Sequence, residues 1–188
     1  MEKTLILQED KSIIANAPIL VDELKAASKL IQEVHRRTQF NIKNGMGPFY
    51  AMIIDKDNNV IAGCSNTVVK SRCSLHHAEI NTIKAAQEKL NTYDLSSYDL
   101  SIYISAEPCI MCAGAIMWSG IKNVYYSVPS GDVETITGFN EGYKPNWLDE
   151  FKKIGINVYG NIEPEIGKRI LADYVTNGNV VYKPKRQV

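Results

Sequence analysis

The chain predicts an α/β fold, a three-layer α/β/α sandwich around a central sheet, and three observations carry that prediction. Short β-rich runs alternate with segments of helical period along most of its length. With 188 residues and 45% hydrophobic content it can fill one core but not two comfortable ones. No internal repeat or low-complexity stretch interrupts the pattern. Residues 1–188 are therefore expected to form a single domain, with 1–19 as an N-terminal arm and 175–188 as a C-terminal tail rich in Lys and Tyr.

Leu20, Leu24, Ala27, Leu30, Ile31 and Val34 recur at helical spacing, with Asp22 and Glu23 in the first turn where the helix dipole favours negative charge. This long helix should end near Asn44-Gly45, and His35 falls on its polar, solvated side. Phe49–Ile54 and Val60–Ser65 flank the turn-forming Asp55–Asn59 and read as a hairpin. A helix starting at or just before His77 carries Ile80, Ile83, Ala86 and Leu90 on one face. Leu100–Ser105 and Val124–Val128 read as strands around a small, apolar helix over Cys109–Trp118, with Pro108 suited to its first turn. Trp147–Lys153 and Pro164–Tyr174 read as helices separated by a strand at Ile156–Tyr159.

Lys+Arg and Asp+Glu are equal at 21 each, so no global positive field gathers polyanions, which weighs against a nucleic-acid partner. Charges at Glu2, Lys3, Glu9, Asp10 and Lys11 break up the first twenty residues, and no apolar run elsewhere is long enough for a span. The expectation is a cytoplasmic chain without membrane contact. In a reducing compartment the four cysteines stay free or bind metal. Cys64 and Cys73 read as small, partly buried thiols, and Cys109 and Cys112 as metal candidates.

His77-Ala78-Glu79 and Pro108-Cys109-Ile110-Met111-Cys112 together fit the H-x-E…P-C-x-x-C arrangement of a zinc site that activates water. Both motifs fall at helix starts, where unpaired N–H groups stabilise thiolate and carboxylate. Cysteines three apart at a helix start present both sulfurs to one side, and His77 supplies a third ligand. Three protein ligands leave the fourth position of one Zn²⁺ for water or hydroxide, with Glu79 beside it as a proton carrier. Cys-x-x-Cys by itself also suits a redox pair or half of a structural zinc knuckle, for which Cys73 is the nearby fourth ligand. His76 is the rival to His77; the H-x-E register selects His77, because one residue along a helix turns a side chain by about 100°.

From Gly47-Pro48-Phe49 to about Trp147 the chain resembles the cytidine-deaminase-like superfamily, in the branch of bacterial guanine deaminases and tRNA adenosine deaminases. The run Ser105–Ile116 is common to both purine branches. Gly63–Asn66, Met117–Gly120, and Asp132–Glu134 with Gly138–Gly142 resemble guanine deaminase. A Lys-Thr-Gly-Ala-Ala-Gly-Ser-like stretch usual in tRNA deaminases is missing, and Asn140 stands where relatives often have Asp.

The resemblance implies a five-stranded mixed sheet, a homodimer and a small purine substrate. It implies that Glu79 and Glu141 are catalytic, Glu141 as a second acid that contacts the purine. It further implies that Asn66 hydrogen-bonds the base, that Phe49 and Phe139 wall its faces, that Trp118 lines the pocket and that Ala78 contributes its backbone N–H. Tyr174, Tyr182 and the tail would close over a substrate, in this subunit or a partner's. The expected reaction is guanine plus water to xanthine plus ammonia. Rival readings are another amino-heterocycle (a nucleoside, cytosine or ammeline), tRNA adenosine deamination, and a non-enzymatic zinc-stabilised interaction module.

Overall fold

The computed structural model describes residues 12–139 and 142–182, together with the backbone of a short strand at 5–6. Glu141 and Asn140 lie outside the described residues, as does the tail beyond Tyr182. In chain order the elements are β1 (Leu5–Ile6), β2 (Ile14–Ala15), β3 (Ile19–Leu20), α1 (Val21–Ile42), β4 (Tyr50–Ile54), β5 (Val60–Ser65), α2 (Val68–Ser71) and α3 (Ala78–Leu90). Then come a 3-10 turn at Ser96–Tyr98, β6 (Ser101–Ala106), α4 (Ile110–Ser119), β7 (Asn123–Val128), α5 (Ser130–Thr137), α6 (Trp147–Lys153), β8 (Asn157–Gly160) and α7 (Pro164–Thr176).

The main sheet runs β2-β8-β7-β6-β4-β5. β6, β7 and β8 are parallel, while β4 pairs antiparallel with both β5 and β6. Mixed pairing follows from the connections: the tight Asp55–Asn59 turn returns β5 against β4, whereas helices carry β6 to β7 and β7 to β8. The expected five strands become six. β2 from the N-terminal arm pairs antiparallel with β8, Ile14 opposite Gly160 and Ala15 opposite Tyr159. Two residues are too few to show a period of two, so pairing created this strand. Asn16 secures it: its Nδ2 donates to Leu148 O and Ile156 O, and its Oδ1 accepts from Val158 N at 2.8 Å.

Strand alternation divides the interior into two cores. Ala51, Ile53, Ile102, Ile104, Val124 and Val158 point toward α3, α4 and α6. Tyr50, Met52, Ile54, Tyr103 and Tyr159 point toward α1. On that second face Tyr103, Tyr125 and Tyr159 are register partners and stack with ring centroids 4.5 and 4.9 Å apart, the spacing of neighbouring strands.

His35 is not solvated as its helical position suggested; it is 1% exposed. α7 packs over α1 at this point, and a Cβ at Gly167 would come within 2.7 Å of the imidazole, so glycine permits the approach. His35 Nε2 donates to Ser127 Oγ at 2.9 Å, whose hydroxyl in turn donates to Glu163 O. Nδ1 is buried without a hydrogen-bond partner, and burial pulls the pKa from 6.5 down to about 4 against the opposing pull of Glu163.

Candidate metal centre and substrate cavity

His77 is the N-cap of α3 and Cys109 the N-cap of α4, both with extended backbone, so each helix begins at a ligand. Pro108 therefore sits one residue before the cap, not inside the first turn. Ala78 is fully buried behind His77, and Cys112, Ala113 and Ile116 root α4 in the core. Those contacts bring the two helix starts together.

The ligand atoms of His77, Cys109 and Cys112 lie within 4.8 Å of one another, and His77 Nδ1 is 3.6 Å from each sulfur. Tetrahedral zinc with bonds of about 2.0 Å to nitrogen and 2.3 Å to sulfur places N and S about 3.5 Å apart. The three donors thus fit one Zn²⁺ without rearrangement. His76 is directed elsewhere: its Nδ1 is 2.7 Å from Ser71 Oγ. Cys73 is also outside the cluster, so among the described residues the site has three protein donors, the arrangement that leaves one position open.

Glu79 is 6% exposed, and its carboxyl is pushed up to about 7, first by burial and then by the neighbouring Cys109, with His77 pulling the other way. A carboxyl near neutrality can both take and give a proton at neutral pH. Between the thiols, Cys112 hydrogen-bonds Cys109 and holds it down to about 4, while that bond and burial push Cys112 up.

An inner cavity is lined by His77, Glu79 and Cys109 together with Phe49, Asn66, Glu107, Val133 and Phe139. An outer cavity shares Phe49, Asn66, His77 and Phe139 with it, and adds Val68, Val69, Tyr174, Val180 and Tyr182. The structure therefore gathers Phe49, Asn66 and Phe139 around the metal ligands, and the chain's own Tyr174 and Tyr182 reach the outer rim. Asn66 is held rigidly: its N–H donates to Phe49 O, its C=O accepts from Gly47 N, and its Oδ1 accepts from Val68 N. A Cβ at Gly47 would lie 2.8 Å from that Oδ1.

Trp118 does not join the cavity. It is 84% exposed, because two residues beyond buried Ile116 a helix has turned about 200° and points it outward. Glu107 lines the inner cavity and was not among the sequence candidates; it lies inside the Ser105–Ile116 run, but only folding shows what its carboxylate meets. α5, with Val133 and Thr137 on the cavity walls, carried no helix signal in the sequence, since Ser130, Gly131 and the β-branched Val133, Thr135, Ile136 and Thr137 give it weak helix propensity.

Residues 23–128 match the family described as the cytidine and deoxycytidylate deaminase zinc-binding region. The chain is 39% identical over 104 residues to a guanine deaminase of Bacillus subtilis, covering 55% of this chain and 64% of that one. It is 33% identical over 97 residues to a tRNA-specific adenosine deaminase of Rickettsia bellii, covering 51% and 66%. The match thus spans a little under two thirds of each curated relative. A solved guanine deaminase from Nitrosomonas europaea superposes with a TM-score of 0.74 at 37% identity, covering 78% of this chain and 82% of that one.

Proposed function

This chain belongs to the cytidine and deoxycytidylate deaminase zinc-binding family, and from that premise we propose that it hydrolyses a free purine base, guanine plus water giving xanthine plus ammonia. One observation carries the reading: two of the zinc donors, His77 and Cys109, open on one cavity with the Glu79 carboxyl, Asn66 and Phe139, and the third donor, Cys112, is buried directly behind them. Bound at His77, Cys109 and Cys112, zinc supplies Lewis acidity that brings the pKa of water from about 15.7 toward 7.

Glu79 takes a proton from the attacking water and passes it to a ring nitrogen of the base. Its burial keeps the carboxyl close to neutral pH, where both transfers are available. Asn66, pinned through backbone and side chain, offers its amide to the base edge, and Phe49 and Phe139 wall the ring. Glu141, named by the sequence resemblance, is the proposed second acid that protonates the leaving amine.

Similarity to the guanine deaminases of two bacteria supports guanine over adenosine in tRNA, as does the equal count of acidic and basic residues. Product analysis with guanine, guanosine, adenine, cytosine and ammeline at equal concentration tests this. Xanthine and ammonia are expected from guanine; turnover of another substrate with none of guanine removes the reading.

A second copy of this chain is the proposed partner. Ile110, Met117 and Trp118 are 49%, 42% and 84% exposed, and with Gly114 they form one stripe along α4 at positions i, i+4, i+7 and i+8. Trp118→Asp should convert a dimer to a monomer in sedimentation, and an unchanged sedimentation coefficient counts against this face. Four free thiols suit a reducing cytoplasm. No helix among the described residues is long and apolar enough to cross a membrane.

A further inference from the structure

We infer that Glu107 is a positioning residue for the substrate wall, its carboxylate clamping both ends of the segment that carries Phe139; the inference rests on the cavity being the purine site proposed above. Glu107 lies between β6 and the Cys109 cap, and its own N–H donates to Val128 O at 2.8 Å. Its two carboxylate oxygens serve partners from different elements. Oε2 accepts from Ser130 N at 2.9 Å, and Oε1 accepts from Trp147 Nε1 at 3.1 Å.

Ser130 is the first residue of α5 and Trp147 the first of α6. One side chain therefore holds the beginning and the end of residues 130–147. Between these anchors Val133, Thr137 and Phe139 line the cavities, and a Glu134–Lys144 ion pair of 2.9 Å draws the middle of the segment together. The carboxylate also meets the positive end of α5, where negative charge is favoured, and bonds of this kind to a charged acceptor are the stronger class. On the far side Trp147 stands edge-on to Phe151, with ring centroids 5.0 Å apart, so the indole is fixed in the core at its ring and at its N–H.

A wall held in place this way affects how well the base is bound, and affects the proton transfers at Glu79 little. In the zinc-loaded full chain, Glu107→Gln keeps one acceptor but turns an N–H toward a donor, so KM for guanine should rise about 10-fold while kcat stays within about 3-fold. Zinc should remain at one per chain by metal analysis. Trp147→Phe, which removes only one arm, should raise KM about 3-fold, and it carries the test if Glu107→Gln does not fold.

Unchanged KM in Trp147→Phe overturns the clamp, because a Glu107 that only touched the base would not feel that change. Loss of zinc, or kcat falling further than KM rises in Glu107→Gln, overturns it as well. A readout independent of turnover uses Trp118→Phe, which leaves Trp147 as the one tryptophan of the two in the chain. Adding Glu107→Leu, which removes both acceptors, should shift the Trp147 emission and raise its acrylamide quenching about 2-fold as the indole loses its acceptor; unchanged emission overturns the clamp. If the protein with Glu107 intact does not turn over guanine, shifted emission in the variant still upholds the clamp, and the substrate reading is what fails.

Discussion

The metal half and the recognition half of the cavity are built differently. His77, Glu79, Cys109 and Cys112 sit at the first turns of two helices whose next residues, Ala78, Ala113 and Ile116, are buried in the main core. Phe49, Asn66, Phe139 and Tyr174 come from four separate elements or connections, and Phe139 depends on a segment tied down by Glu107. The metal half is placed by the same packing that folds the protein. The recognition half is placed by several local devices, each able to change without disturbing the ligands. Mutations should therefore divide into those that abolish chemistry and those that mainly weaken binding.

The largest expected effect is on the metal. Chelation, or Cys112→Ala, should remove guanine turnover altogether, and zinc should restore the chelated protein but not the variant. Persistent turnover in a metal-free sample would break the metal half of the contrast. Next comes Glu79→Gln, which should lower kcat about 10²–10⁴-fold with zinc content unchanged; a metal-replete variant that still turns over would show that the proton passes elsewhere. Asn66→Ala should raise KM for guanine about 10-fold and leave kcat much closer to wild type. If instead kcat collapses with KM constant, Asn66 belongs with the chemistry and the division fails.

The smallest effect concerns stability on the opposite face of the sheet. Neutral, buried His35 has its pKa depressed from 6.5 to about 4, so as pH falls through this window the unfolded chain takes up a proton that the folded chain refuses. Stability present above about pH 6.5 is lost progressively toward pH 4, by up to about 3 kcal/mol from this residue. His35→Gln should flatten the fall in melting temperature between pH 6.5 and 4, and parallel curves for variant and wild type would contradict it. Activity at neutral pH tests the contrast from the other side: His35 shares a crevice with Phe49 but not with the zinc donors, so any change should fall on KM and leave kcat within about 3-fold.

Much of this was legible without coordinates. Val60–Ser65 and Trp147–Lys153 coincide with sequence-derived boundaries, because strand alternation and helical spacing are local patterns that burial reinforces. The short β2 and the threonine-rich α5 were not legible, since each owes its conformation to a partner distant in sequence. His35 shows the same limit in a single residue: its helix position reads as polar, and only the docking of α7 through Gly167 buries it.

The sequence by itself picked out the three residues that cluster as metal donors, the Glu79 carboxyl that lines the cavity with them and the alternating α/β order, because ligand spacing and periodicity are short-range properties of the chain. Tertiary structure alone decided that Trp118 faces outward, that His35 is buried, and that Glu107 joins Ser130 to Trp147. Those outcomes depend on where separate helices dock on the sheet, and docking is set by the summed packing of both cores, which no stretch of residues carries alone.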